Sequence, residues 1–321
     1  MSRPIFVSII IPNFNHGRFL HERLNSVFNQ AYQNFEVILL DDASTDGSQE
    51  ILNEFCNHPK VSEVIINNVN SGSPFAQWML GIKHAKGDLI WIAESDDRSD
   101  NSFLEVLVPL FANSRLALAY TQSYDIDEMG EIFLDRIEYT KSFKENIWMS
   151  DFTISTRSFS NDYLIKKNVI PNVSAVLFRK EELVRVLSMP IPFKAFRKCG
   201  DWLVYALICY QMEKEVSFVA KHLNHFRHSQ GNTRENDSEP QRIIRLSEEW
   251  AIRAEYKELL GWNTQWSKDM QRMLERELYK FSKGAHRKTL KEKIKSLSSG
   301  GLTNFYLFYF RELLRGLIGR K

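Results

Sequence analysis

Apolar positions in the first hundred residues alternate between two periods. Unbroken runs at Phe6 to Ile11, Phe35 to Leu40, Val61 to Ile66 and Leu89 to Ala93 are rich in Ile, Val and Leu, and they read as buried strands. Between them the spacing is helical. Leu20, Leu24, Val27 and Phe28 recur within Arg18 to Gln30, and Ile51, Leu52 and Phe55 follow the capping residues Ser44-Thr45-Asp46. A Gly/Ser/Pro loop at Ser71 to Pro74 leads into a helix through Trp78 to Ala85. This β-α-β-α-β-α-β order predicts an α/β fold with a mostly parallel sheet wrapped by helices.

The pattern loosens after the fourth strand. Leu116 to Tyr124 reads as a strand, and Asp127-Glu128-Met129-Gly130 as a turn into Ile132-Phe133. Residues 135–170 are polar, aromatic and aperiodic, which predicts a long loop with short helices. Ser174 to Phe178 and Val216 to Ala220 are further strands, and a helix starting at Asp201 carries Trp202, Tyr205 and Ile208 or Cys209. A polar stretch, Ser229 to Glu239, separates this body (1–239) from a helical extension (240–321) bearing Trp250, Leu259 and Trp262.

Ligands of such sheets gather beyond the carboxyl ends of the strands. Three ends are polar here: Asn13/Asn15, Asp41/Asp42 and Glu94-Ser95-Asp96-Asp97. Three carboxylates at one strand end crowd like charges, which a hard divalent ion such as Mg2+ or Mn2+ relieves. An acidic turn capping the next helix accounts for the same residues, so both readings stand at this level. His222, His225 and His228 are spaced like zinc ligands, but a three-residue step along a strand puts neighbours on opposite faces.

Bulk composition excludes more than it assigns. The 321 residues are 43% hydrophobic and 26% charged, as in an ordinary globular protein, and a net charge of +2 gives no sign of a nucleic-acid partner. The charge is uneven: residues 284–321 carry nine Lys/Arg against two Glu, on a mildly acidic body. Three scattered cysteines fit a reducing, cytoplasmic setting better than a disulfide framework. The start of the chain lacks the pattern of a signal peptide, and no stretch approaches the ~20 apolar residues that span a bilayer.

Taken in order, the motifs resemble those of family 2 glycosyltransferases, inverting nucleotide-sugar enzymes with the Rossmann-like GT-A fold. The matching pieces are Val7-Ser8-Ile9-Ile10-Ile11-Pro12-Asn13-Phe14-Asn15, Asp41 to Ser48, Asn70-Ser71-Gly72-Ser73, Ala85-Lys86-Gly87-Asp88 and the acidic run. Asp201-Trp202 and Phe226-Arg227-His228 extend the match to about residue 232. The resemblance implies a nucleotide-sugar half over about 1–100 and an acceptor half over about 101–239. It places Pro12, Asn13, Phe14, Asn15 and Asp42 at the nucleotide base, with Gly72, Gln77, Glu94, Ser95 and Asp96 along the rest of the donor. Asp42 would accept the ring N–H of uracil or thymine, favouring a UDP- or dTDP-sugar.

Asp96 matches the second acid of the family's Asp-x-Asp motif, and Glu94 stands where the first Asp is usual. With His228 they form the implied Mg2+ or Mn2+ set, and Asp97 reads as a helix cap. Ala76-Gln77-Trp78 occupies a stretch where relatives often carry an Arg against the diphosphate, so Gln77 brings hydrogen bonds without charge. Asp201 resembles the catalytic base that takes the acceptor proton.

The tail completes the expectations. Leu302, Tyr306, Phe310, Leu313 and Leu317 share one helical face, with Arg311 and Arg315 opposite and Arg287, Lys288, Lys291, Lys293 and Lys295 upstream. Residues 286–321 therefore suit either the interface of an anionic membrane, close to a glycan or lipid-linked glycan acceptor, or packing on the protein or a homodimer mate. Two rivals remain. A sugar nucleotidyltransferase requires a basic Gly-rich loop after the first strand, where this chain has Pro-Asn-Phe-Asn-His; a catalytically silent nucleotide-sugar-binding scaffold does not require both Asp96 and Asp201.

Overall fold

The computed structural model describes residues 3–170, 172–210, 213–228, 238–260, 265–282 and 286–298. The first half alternates as the periodicity requires: β1 (Val7–Asn13), α1 (Gly17–Phe28), β2 (Phe35–Asp41), α2 (Ser48–Glu54), β3 (Val61–Ile66), α3 (Pro74–His84) and β4 (Leu89–Ile92). There follow β5 (Arg98–Ser99), α4 (Phe103–Leu107), β6 (Leu116–Ile126), β7 (Ile132–Asp135), α5 (Ile137–Thr140), β8 (Phe152–Ser155), α6 (Thr156–Phe159), β9 (Val176–Arg179) and α7 (Lys180–Leu187). The chain then forms α8 (Gly200–Cys209), β10 (Glu215–Arg227), α9 (Glu239–Leu260), α10 (Gln265–Ser282) and α11 (Arg287–Ser298).

One sheet runs in the order β3-β2-β1-β4-β9-β6-β10-β5, with β7 on β6 and β8 on β10. Parallel pairing holds among β3, β2, β1 and β4, and again between β6 and β10. Between these blocks β9 runs antiparallel to both neighbours, and β5, β7 and β8 are also antiparallel. The nucleotide half is thus the parallel sheet that was expected, and the acceptor half is mixed. Both faces are covered. Ile9 and Ile11 of β1 pack beneath α1 with Leu20 and Leu24, while Ile10 joins Trp78 of α3 on the other face. Complete burial of each such side chain contributes about 1.5–3 kcal/mol.

Two elements exceed the sequence reading. The strand expected over Val216–Ala220 continues to Arg227, with register shifts between Val219 and His222 and between His222 and Asn224. Its later half carries Lys221, His222, Asn224 and His225, so no apolar alternation marks it. β8 is four residues inside the polar stretch and exists by pairing with β10. The boundary at 239/240 marks a change of element type, since Ile243, Leu246, Trp250, Leu274, Leu278, Leu290 and Leu297 share one apolar core with Trp202 and Tyr205.

Candidate active site

β4 delivers the acidic run to the carboxyl end of the sheet, and the four residues then diverge. Glu94 is half-buried; its Oε1 accepts from Trp78 Nε1 at 3.0 Å, and its N–H donates to Ser174 Oγ at 3.1 Å. Desolvation and the neighbouring Asp96 charge push its carboxyl up to about 8, against the pull of the Trp78 hydrogen bond. Asp97 is buried and accepts from Asn172 Nδ2 at 2.7 Å and from the Arg227 N–H at 2.9 Å. Burial and Asp96 also raise its carboxyl, with Arg23 opposing. The expected helix cap is therefore corrected: Asp97 ties β4 to β10 and to the turn before β9, and α4 starts only at Phe103.

Asp96 is different. Its side chain keeps 22% of its surface open, and the His16 ring Nδ1 lies 4.0 Å from its Oδ1. Among the described residues no donor hydrogen-bonds its carboxylate. His16 in turn contacts the buried Ser95 Oγ at 2.9 Å. Beneath the cluster lies Arg23 of α1, wholly buried, donating from Nε to the Glu94 carbonyl at 2.8 Å and holding Nη2 3.9 Å from Asp97. Arg227 supports the run from the side, donating from Nε to the Asp96 carbonyl at 2.7 Å. One internal guanidinium against three carboxyls leaves the cluster short of positive charge.

The residues present fit a hard divalent ion in a limited way. Asp96 offers an oxygen, and Glu94 has one carboxyl oxygen beyond its Trp78 bond; such ions are often held by one or two carboxylates together with substrate phosphates. His228 is no part of this set. Its Nε2 lies 3.2 Å from Asp125 Oδ2 and 3.0 Å from Arg136 Nη2. Among the described residues no group of three His, Cys, Asp or Glu side chains converges as a metal cage. The expected trio of Asp96, Glu94 and His228 is accordingly corrected: His228 is engaged by Asp125 and Arg136 instead.

The second polar strand end is saturated instead. Asp42 is buried, and its Oδ1 accepts from Asn67 Nδ2 (2.7 Å), the Ser71 N–H (2.9 Å) and Gln77 Nε2 (2.7 Å). Its Oδ2 accepts from the Ser71 hydroxyl at 2.8 Å. These donors fill the lone-pair sites of a carboxylate. Asp42 therefore pins the Gly-rich loop, and a ring N–H finds no free oxygen on it. Gln77 is likewise buried with its amide turned to Asp42, which corrects its expected phosphate or ribose contact.

Pro12 and Asn13 are also buried, and Asn13 Nδ2 bonds Asp41 Oδ1 at 2.9 Å. Asn15 adopts φ 56 and ties the β1 loop to Thr45, its Oδ1 accepting from the Thr45 N–H at 2.8 Å. Phe14, 44% exposed, is the member of that loop that presents a ring to solvent. Gly72 has φ +68, a left-handed conformation that a side chain would strain.

Asp201 sits in the first turn of α8, where the helix dipole favours a charged carboxylate. It is half-buried, and its Oδ2 accepts from Asn168 Nδ2 at 3.0 Å. The first turn of α3 links the three acidic positions. Gln77 holds Asp42 and Trp78 holds Glu94, while Phe75 packs so tightly on Gly200 that a Cβ there would lie 2.5 Å from its ring. Tyr205, one turn after Asp201, is buried and has its hydroxyl pushed well above its ordinary value by desolvation and by the Asp201 and Glu94 charges. α3 thus contacts Asp42 and Glu94 directly and Gly200, the neighbour of Asp201, through Phe75.

Arg23 and Glu248 escaped the sequence reading, and His16, Asn172 and Arg227 received no site role there. Glu248 of α9 is wholly buried and accepts from the backbone N–H groups of Arg197, Lys198 and Cys199, each at 2.8 Å. Lys293 of α11 neutralises it, which corrects the grouping of Lys293 with membrane-facing lysines. Leu290 and Leu297 bury the same helix against the protein, and the face from Leu302 to Leu317 lies outside the described residues. Among the described residues no helix is long and apolar enough to cross a membrane.

Comparison with known proteins identifies the family and the fold. The family model described as "Glycosyl transferase family 2" matches residues 8–175. A poly(ribitol-phosphate) beta-glucosyltransferase of Bacillus spizizenii is 41% identical over 93 residues, 28% of this chain and 15% of that protein. The chain spans less than half the length of the curated relatives it matches. The S. aureus TarS 1-349 structure in complex with UDP-GlcNAc superposes with a TM-score of 0.60 at 17% identity, covering 91% of this chain and 81% of that one. The mannosyltransferase PcManGT of Pyrobaculum calidifontis, in complex with GDP-Man and Mn2+, gives 0.54 at 15% identity, covering 96% and 79%. The fold is thus shared with glycosyltransferases, the GT-A arrangement that the motifs imply.

Proposed function

The chain belongs to glycosyl transferase family 2, and from that membership we propose that it transfers one sugar, with inversion, from a nucleoside diphosphate donor to a glycan or lipid-linked glycan acceptor. The observation that carries the reading is the placement of Asp201 and the acidic run on either side of the first turn of α3. One side offers a proton acceptor, and the other an anionic cluster lacking countercharge.

In this reading the exposed Phe14 ring stacks on the nucleotide base and the loop pinned by Asp42 shapes the rest of the pocket. Asp96, with Glu94 beside it, would hold Mg2+ or Mn2+, which supplies countercharge for the leaving diphosphate. Asp201 orients the acceptor hydroxyl and takes its proton as the oxygen bonds to the anomeric carbon. The bond to the leaving phosphate breaks on the opposite face, and its electron pair departs with the diphosphate. Asn168 orients the carboxylate by donating to its Oδ2. A single base and direct displacement give inversion.

Envelope polysaccharide assembly at the cytoplasmic face of a membrane is the setting this reading favours, given the similarity to the poly(ribitol-phosphate) beta-glucosyltransferase of Bacillus spizizenii. A donor screen tests the function: release of nucleoside diphosphate from UDP-, dTDP- and GDP-sugars is measured with and without Mn2+ and an acceptor glycan. The account expects metal-stimulated turnover with at least one donor. No turnover with any donor and acceptor would favour a binding scaffold.

A further inference from the structure

The Gly-rich loop of this chain contains no cation, since Ala76-Gln77-Trp78 follows Pro74-Phe75 and Gln77 is turned inward to Asp42. A cation nevertheless stands at that loop, delivered by a segment far away in sequence. A Cβ placed on Gly72 would lie 3.4 Å from Arg197 Nη2 and 4.0 Å from Nη1. The guanidinium thus rests against the left-handed turn that follows Ser71, the residue Asp42 anchors. Arg197 is exposed, and among the described residues its guanidinium has no carboxylate or hydrogen-bond partner. Most surface arginines near an acidic cleft find one, and the cations around it here are committed: Arg23 to Glu94 and Asp97, Arg227 to Glu22 and the Asp96 carbonyl.

We propose that Arg197 is a donor-binding residue that grips the diphosphate of the nucleotide-sugar from the acceptor side of the cleft; this rests on the glycosyltransferase reading above. The proposal supplies the positive charge missing from the loop, and it places that charge four residues before Asp201 on the same segment. A guanidinium suits the task because its fork matches two phosphate oxygens at once.

The segment is also held in advance. Glu248 receives the N–H groups of Arg197, Lys198 and Cys199, and Lys293 both neutralises Glu248 and donates to the Ala195 carbonyl. Phe75 and Phe196 pack against Gly200 at its other end, with Phe193 behind the Phe75 ring. A backbone fixed at both ends loses little freedom when its side chain closes on a ligand. Glu248 and Lys293 are therefore positioning residues: they fix the strap that carries Arg197 and leads into Asp201.

Calorimetric titration of the full chain in Mn2+ separates the possibilities, with UDP, dTDP and GDP each paired with its parent nucleoside. The probe is whichever diphosphate the wild type binds. Arg197→Ala should weaken that diphosphate about 10-fold or more while leaving the nucleoside unchanged, and Arg197→Lys should recover part of the loss, because only the charge-assisted phosphate contacts are removed. Glu248→Gln, checked for an unchanged circular dichroism spectrum, should weaken the diphosphate less than Arg197→Ala does. Diphosphate affinity within twofold of wild type in Arg197→Ala overturns the assignment, as does an equal loss of diphosphate and nucleoside. If the wild type binds none of the three diphosphates, the donor reading itself fails and this assignment falls with it.

Discussion

Two acidic strand ends of one parallel sheet are treated in opposite ways. At the end of β2, Asp42 is met by the side chains of Asn67, Ser71 and Gln77 and by a backbone N–H. At the end of β4, three carboxyls share one buried guanidinium, two of them are raised by burial and by Asp96, and Asp96 itself receives no donor among the described residues. Both ends are Asp-rich in sequence, yet the first is a finished structural joint and the second is electrostatically incomplete. A group whose hydrogen bonds are complete does structural work, while crowded like charges mark the place for a cation.

The sharpest break in this comparison comes from the proposed base, Asp201 on α8. Asp201→Asn removes the proton acceptor and keeps the bond geometry to Asn168, so turnover should fall by about 10²–10⁴-fold with donor affinity retained. Unimpaired turnover would remove Asp201 from its role. Next in size is Asp96→Asn, expected to lower turnover by about 10²–10³-fold and to abolish its dependence on Mn2+. A titration of rate against Mn2+ reads this directly.

The same exchange of Asp for Asn then sets the two strand ends against each other in the unliganded protein. Asp42→Asn replaces an acceptor of several donors by a half-donor amide and should cost about 2–3 kcal/mol, lowering Tm by roughly 4–10 °C. Asp96→Asn removes a charge that repels Glu94 and Asp97, and should raise Tm by about 1–3 °C at neutral pH. Thermal melts of both variants check the opposite signs; equal signs would erase the distinction between the two ends.

The smallest effect concerns β10. Burial and the Arg98 charge hold His225 down to about 4, below its ordinary value of 6.5. Its folded value is depressed, so between pH 6.5 and 4 the unfolded chain binds the extra proton. Stability in that window should therefore fall as pH falls. The imidazole is partly open to solvent, which reduces the effect to about 2–4 °C of Tm between the two limits. The pH-dependent loss of Tm from neutrality to pH 4 should be smaller in His225→Gln than in the wild type, so the two melting curves differ in slope across this window.

Much of the nucleotide half was legible because local signals agree with the fold there. Each strand is an unbroken apolar run between turn residues, and the three acidic or amide-bearing ends follow from strand polarity alone. The acceptor half was less legible because its elements are set by tertiary pairing. β8 is four polar-flanked residues that exist through β10, and the second half of β10 carries histidines and an asparagine with no alternating apolar face. Motif spacing singled out Asp96 and Asp201, which the structure places at the end of β4 and in the first turn of α8. It misassigned His228, which the register shifts of β10 and the buried Asp125 draw elsewhere, and Gln77, which turns inward to Asp42. Arg197 and Glu248 carried no local signal at all. Their meaning lies in a long-range meeting of the Gly-rich loop, the strap before α8 and the C-terminal helices.

The central claim is that the β4 acids await a cation bridged to a donor diphosphate. Differential scanning fluorimetry of the wild type and Asp96→Asn with Mn2+ alone, nucleoside diphosphate alone, and both together tests it most directly, since a ligand bound only to the folded state raises Tm. The account predicts a wild-type increase with both together that exceeds the sum of the separate increases, and loss of that excess in Asp96→Asn. Additive increases in the wild type, or the same excess in Asp96→Asn, would contradict it.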